Sequence, residues 1–375
     1  LNAPVEAGAQ QRTLRSTASA HLDRLLNKNP SSGDLVESLD GLRGFAVLIV
    51  IASHVNLAGM RGQGAMGVWL FYILSGFLLT RILLAKLPDS LSARGLAKYF
   101  IRRIARILPL YYLTLTLVMF VEQRGSTWLF RHFAFLQADG HFWSIPQEEL
   151  FYVLLPLLAG TVVVLARMTP PLRAGPAFVI ALLLAIAMSL LLPMITLQGN
   201  GKSLPFYGDV FVIGFACAFL ARTKPVSSFL ASDRHRIPLD VASAIVVILL
   251  LFTSPEHVRS YRAVAGFDAT SFGWSHPSVS GLLCAILLAA SLKRGTWANR
   301  VFAWRPLRAI GVLSFSLYLY HPIVQDGLTH IGLPRAGWLA FAALLVLCTL
   351  VALVIEALIE RPCMNVGRRI NARIG

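Results

Sequence analysis

The sequence predicts an all-α polytopic membrane protein of about ten transmembrane helices with both termini in the cytoplasm, and three observations carry that expectation. Hydrophobic residues make up 56% of the 375-residue chain and charged residues only 14%, against about 45–50% and about 25% in soluble domains. Apolar windows bounded by charge, Pro and Gly recur at 41–58, 65–85, 107–122, 146–166, 176–197, 205–222, 237–254, 274–292, 307–329 and 336–359. Most approach the about 20 residues that a hydrocarbon core about 30 Å thick requires. With the N-terminus inside, 27 of the 34 Lys and Arg residues fall in cytoplasmic segments, the asymmetry expected of short inner loops.

The net charge of +16 therefore reads as cationic inner loops and not as a nucleic-acid surface. Cys217, Cys284, Cys348 and Cys363 are spaced neither as a disulfide framework nor as metal ligands. Residues 1–37 are polar, lack the apolar core of a signal peptide and read as a cytoplasmic N-terminal tail. The membrane domain is expected over 38–369, followed by a C-terminal tail at 370–375. No internal repeat is evident.

The first span begins GLRGFAVLIVIASHV, an apolar run that carries Arg43 and His54. A charge at a helix centre costs about 2.5–3.5 kcal/mol on insertion scales, so such groups usually face a partner or a pathway. Eleven residues make about three helical turns with about 20° of drift, so the two share a face and lie about 16 Å apart. Arg43 reads either as an inner-leaflet anchor or as a ligand contact. His54 reads either as a neutral histidine bonded to a backbone carbonyl or as a functional group.

After the second span comes ARGLAKYFIRRIARILPLYY. Its basic residues, Arg94, Lys98, Arg102, Arg103 and Arg106, recur at spacings of three and four. The spacing predicts an amphipathic helix lying on the inner surface, suited either to anionic lipid or to a phosphate-rich cofactor that Arg can bind bidentately. The outer loop before the fourth span reads HFWSIPQEELFYVLLP. Glu148 and Glu149 enter the membrane there, with Phe142, Trp143 and Tyr152 expected at headgroup depth. Adjacent carboxylates point about 100° apart on a helix and do not flank one bond together. Asp209, Asp326, Glu356 and His321 are further intramembrane groups, each readable as a structural partner or as part of a pathway.

Six stretches in order resemble the acyltransferase 3 family of integral membrane acyltransferases. They are LDGLRGFAVLIVIASHV, GVWLFYILSGFLLT, YFIRRIARILPLYY, FWSIPQEELFYVLLP, SFSLYLYHPIV and IERPCM. The resemblance implies transfer of an acyl group, most often acetyl, from acyl-CoA to a hydroxyl of a carbohydrate or lipid-linked glycan. It makes His54 the catalytic histidine with Arg43 its companion, Arg102 and Arg103 donor-side residues, and Glu149 an acceptor-side residue. Trp69, where many members have a small or acidic residue, and Pro146-Gln147 depart from the pattern and bear on acceptor identity. Many members also carry an esterase-like domain after the spans, for which the residues after 361 leave no room.

A mechanism consistent with both readings has His54 take the proton of the acceptor hydroxyl as it attacks the thioester, with no metal. Glu149 or Glu148 would orient the imidazole or the acceptor, and Arg102, Arg103, Arg106 and Arg43 would hold the CoA phosphates. Trp143, Ser144, Glu148, Tyr152 and His321 are the expected acceptor-binding residues. An acyl-enzyme at Ser75, Ser144 or Ser316 is the less favoured route, for none has a triad signature. The outer loops before the fourth span and at 255–273 are expected to set acceptor choice. The expected setting is a bacterial inner membrane. The competing class is a proton-coupled transporter or flippase using Arg43, His54, Asp209 and Asp326 as its path.

Overall fold

Glycines set the helix crossings of this chain. A computed structural model describes residues 37–168, 187, 191, 196–199, 202–205, 207–252 and 277–374. Helix α1 spans Glu37–His54 and α2 spans Gly64–Ala85. Helix α3 runs over Ala93–Val121, α4 over Ser126–Phe133 and α5 over Ser144–Met168. A two-stranded antiparallel hairpin follows, β1 Thr196–Gly199 and β2 Lys202–Pro205, with Thr196 opposite Pro205. Next come α6 (Gly208–Leu220), α7 (Lys224–Ala231), α8 (Arg236–Phe252) and α9 (Pro277–Leu292). The chain closes with α10 (Trp297–Phe302), α11 (Arg305–Val312), α12 (Ser314–His330), α13 (Trp338–Ile355) and α14 (Arg361–Arg373).

Among the described residues, four helices are long and apolar enough to cross a membrane: Gly64–Ala85, Ala93–Val121, Gly140–Val164 and Trp338–Arg373. Two bent pairs, α6 with α7 and α11 with α12, raise the number to six if each is one span. Helix α1 stands outside this set because it carries Glu37, Asp40 and Arg43. Phe120, Leu157, Trp338 and Leu358 are among the large apolar side chains left exposed, as a lipid-facing surface requires. The chain is an integral membrane protein.

Several elements differ from the sequence expectation. The basic segment and the third span form one 29-residue helix, α3, about 43 Å long. The basic turns are collinear with the span instead of lying flat against the membrane surface. The two share a helical phase, and Pro109 lies inside the helix without ending it. Ser92 caps its start, its Oγ accepting from the Gly95 N–H at 3.1 Å. The ninth span is broken, with α11 and α12 meeting at 74°. The tenth continues past 359 through a π-helical turn at Glu356–Glu360 into α14. The span expected at 176–197 lies almost wholly outside the described residues and ends in β1 where helix was expected. The expected N-terminal tail and the loop at 255–273 also lie outside them.

Helix α1 is wedged between α2 and α11. A Cβ at Gly44 would fall 2.2 Å from the Leu307 carbonyl oxygen, and one at Gly311 only 1.7 Å from that of Asp40. The helices therefore touch backbone to backbone. Gly76 and Gly214 bring α2 and α6 together in the same way, each 2.2 Å from the opposing carbonyl. In lipid, where apolar side chains gain little by leaving the bilayer for one another, such close approach is a main source of helix association.

Gly44→Ala should destabilise the fold by about 1–3 kcal/mol, because the opposing atom is backbone and cannot turn aside. Gly327→Ala is the control, since a Cβ there meets nothing within 4 Å. Thermal denaturation in detergent should separate the two variants, and equal melting temperatures would contradict the close crossing.

Candidate active site

His54 is the last residue of α1, and the backbone turns after it through Asn56 at φ 47°. The span expected to reach 58 thus ends four residues earlier. The His54 Nδ1 lies 2.9 Å from the Val50 carbonyl oxygen one turn back. A carbonyl only accepts, so Nδ1 carries the proton and Nε2 keeps a free lone pair. The ring is exposed. Both sequence readings of His54 meet here, for the bond to a backbone carbonyl is what prepares the other nitrogen as a base.

Two more histidines adjoin it. His321 stands edge-on to His54 with ring centroids 4.5 Å apart. Its Nδ1–H donates to the Tyr318 carbonyl at 2.7 Å, and its buried Nε2 has no hydrogen-bond partner among the described residues. His141 lies 5.8 Å from His321, held by the Leu319 carbonyl at 3.1 Å from Nε2. Sequence reasoning did not single out His141, although it stands two residues before Trp143 in the motif quoted for the fourth span. Among the described residues no group of three His, Cys, Asp or Glu side chains is arranged to hold a metal.

The second half of the site lies toward the other end of α1. Arg43 is half-buried, donates from Nη2 to Ser314 Oγ at 3.3 Å and lies over the Phe71 ring at 5.4 Å. It is packed between helices and does not reach outward as a lipid anchor would. The break between α11 and α12 is what brings Ser314, first residue of α12, to the guanidinium. Arg106 lies within electrostatic range of Arg43, Arg103 and Glu360. Arg103 sits over the Tyr152 ring at 5.9 Å. The Nε atoms of Arg43 and Arg103 are buried without a hydrogen-bond partner among the described residues. Arg102, by contrast, is exposed. Glu360, missed as a site residue although it begins the closing Glu-Arg-Pro motif, accepts a hydrogen bond from Ser316 Oγ.

The carboxylates divide as their 100° offset requires. Glu148 Oε1 accepts from Ser75 Oγ at 2.7 Å and from the Tyr152 hydroxyl. Glu149 Oε1 is buried with no hydrogen-bond partner among the described residues. The imidazole of His54 is oriented by the Val50 carbonyl and not by Glu148 or Glu149, one of the two roles expected of those carboxylates. Phe142 and Tyr152, expected at headgroup depth, are 4% and 3% exposed. Both belong to the core, Tyr152 packing inward with Glu148 and Arg103 and Phe142 against Tyr111 and His141. Ser144 Oγ donates to the Tyr318 hydroxyl at 2.9 Å, which ties the start of α5 to α12. Trp143 packs against Tyr72 and Tyr207 at centroid distances of 6.2 and 5.7 Å.

Asp209 and Asp326, the acids of the competing transport path, and the further intramembrane acid Glu356 have local structural partners. Asp209 accepts from Ser278, the exposed Asp326 pairs with Arg335 at 3.1 Å, and Glu356 pairs with Arg361 at 3.0 Å.

The segment that carries His141 is itself braced by a buried histidine. In α4, His132 bonds through Nδ1 to the Trp128 carbonyl at 2.8 Å, and its Nε2 accepts the Asp139 N–H at 3.3 Å. Burial holds this imidazole below its ordinary pKa. Its folded-state value is depressed, so the stability it contributes is present above about pH 6.5 and is lost as pH falls through the lowered value. Hydrogen exchange across residues 125–140, corrected for the intrinsic rate, should therefore quicken between about pH 7.5 and about pH 5.5. Unchanged protection would show that the Asp139 carboxylate, 3.7 Å away, compensates fully.

The class defined by this geometry is a multihelical membrane domain in which one helix carries a histidine lone pair at one end and, toward the other, an arginine gathered with two arginines of a second helix. The acyltransferase 3 family model, described as an acyltransferase domain, matches residues 36–357, and the chain belongs to that family. Among its relatives, the protein named "Putative peptidoglycan O-acetyltransferase YrhL" of Bacillus subtilis is 29% identical over 89% of this chain and 56% of its own length. Peptidoglycan O-acetyltransferase OatA of Listeria monocytogenes is 28% identical over 77% of this chain and 49% of its own length. The chain thus spans about half the length of the curated relatives it matches. No solved structure matches it.

Proposed function

We propose that this chain is a membrane O-acyltransferase that moves an acetyl group from acetyl-CoA to a hydroxyl of a cell-envelope glycan. The observation that carries the reading is the free Nε2 of His54 at one end of α1, with Arg43 of the same helix gathered with Arg103 and Arg106 at the other. Family membership supports the reaction class, and the relatives' names supply peptidoglycan as the first acceptor to test.

In this mechanism the acceptor hydroxyl gives its proton to His54 Nε2 while its oxygen attacks the thioester carbonyl. The C–S bond then breaks, and the departing thiolate takes the proton back from the imidazolium. A base positioned for such a transfer contributes about 10²–10⁴ in rate. Arg43, Arg103 and Arg106, with the N-terminus of α12 beside Ser314, form a positive cluster suited to the CoA phosphates. Arg102 is placed at the rim of that site. The pantetheine arm would run along the α1 face toward His54. Trp143, Ser144, Glu148, Glu149, Tyr152 and His321 are assigned to the acceptor side.

The same reading takes the domain as 38–369, places ten spans in a bacterial inner membrane and puts both termini on the donor side. Purified protein in detergent, given labelled acetyl-CoA and glycan fragments, tests it. His54→Gln should lower transfer at least about 100-fold, and Arg106→Gln should raise the acetyl-CoA KM about tenfold with less effect on kcat. Full transfer by His54→Gln would overturn the reading.

A further inference from the structure

Two buried donors remain without an acceptor on the acceptor side. Trp69 Nε1 and Gln147 Nε2 have no hydrogen-bond partner among the described residues, and Gln147 is 0% exposed. Both adjoin Tyr207. The Trp69 and Tyr207 rings are 6.3 Å apart, and the Tyr207 N–H donates to Gln147 Oε1 at 3.0 Å. Trp143 and Tyr72 complete an aromatic wall around them. The elements that carry the group also carry or adjoin the histidines. Trp143 follows His141 by two residues, and a Cβ at Gly64, five residues before Trp69 on α2, would lie 3.8 Å from His54 Cε1.

An indole N–H only donates, and the unpaired atom of Gln147 is its amide nitrogen, also a donor, so the ligand must bring an acceptor. Leaving such donors unpaired in a buried site is costly. A sugar hydroxyl brings a hydrogen that must be placed as well as lone pairs, whereas a carbonyl oxygen brings two lone pairs and no hydrogen, which suits a site whose unpaired groups are both donors. An attached methyl group would lie on the aromatic faces, where apolar surface is favoured.

We infer that Trp69 and Gln147, walled by Tyr207, Trp143 and Tyr72, bind the acetamido group of an N-acetylated sugar in the acceptor. The inference rests on the acyltransferase reading for its place in catalysis, but binding can be measured without turnover. The probes are β-1,4 tetrasaccharides of N-acetylglucosamine and of glucose, titrated calorimetrically into the detergent-solubilised protein. The wild type should bind the N-acetylated tetramer more tightly. Trp69→Phe, which keeps a ring and loses the N–H, and Gln147→Met should each weaken that binding about tenfold and leave the glucose tetramer unchanged. Melting temperatures close to wild type would confirm that the variants are folded.

Equal losses for both sugars, or none, would overturn the inference. Slower acetyl-CoA turnover with unchanged sugar binding would also overturn it, assigning the two donors to the thioester carbonyl. Discrimination between the tetramers without any acyl transfer would leave the subsite standing and remove the acyltransferase reading.

Discussion

The backbone-to-backbone crossing of α1 with α11 is the constraint on which the rest of the site depends. Gly41 and Gly44 let α1 meet the carbonyls of Phe302 and Leu307, and Gly311 meets that of Asp40. At these glycines the contact is backbone against backbone, so no side chain there can adjust to absorb an error in it. The helix that bears Arg43 and His54 is thereby fixed in rotation and depth. Gly67, whose Cβ would lie 2.5 Å from the Ala46 carbonyl oxygen, fixes α2 against the other side. Every distance to Ser314, Phe71 and His321 inherits that geometry.

Around this wedge the polar groups are sorted by whether their demands are met locally. Lys293, 1% exposed, donates to the Leu230 and Ser232 carbonyls at 3.0 and 2.6 Å, and Ser38 donates to the Ser291 carbonyl at 2.6 Å. These groups are satisfied and hold the fold. The Nε atoms of Arg43 and Arg103, Glu149 Oε1, His321 Nε2, Gln147 Nε2 and Trp69 Nε1 are not satisfied by the described residues. Buried polar atoms are nearly always paired; Thr80 Oγ1, Arg308 Nε and Asn371 Oδ1 are further exceptions among the described residues, but six of the nine lie in the candidate site or the group beside it, where a ligand would supply what the chain does not.

Much of the site was legible because it depends on local periodicity. Arg43 and His54 follow from helical spacing alone, and the family motifs gathered Glu148, Glu149, Arg103 and His321. What was hidden depends on contacts distant in sequence. Hydropathy is almost unchanged from Val312 to Leu313, so nothing in the pattern announced the 74° break that delivers Ser314 to Arg43. The basic face of α3 read as a surface helix because amphipathicity does not distinguish lipid phosphate from an arginine-lined interior. Tyr152 read as a headgroup anchor because its hydrogen bond to Glu148 and its place over Arg103 are known only from the fold. His141 had no periodic partner, and its relation to His321 appears only when α12 is packed against the turn before α5.

Gln325 gives the rim beside His54 a mechanical meaning. Its amide nitrogen donates at once to the His54 carbonyl and to that of Arg335, while the Gly337 N–H reaches back to Val55. The end of α1 and the turn between α12 and α13 are laced into one rigid piece. A ligand pressing on that turn would move the His54 imidazole with it; in the acyltransferase we propose, acceptor entry and placement of the base would form a single degree of freedom.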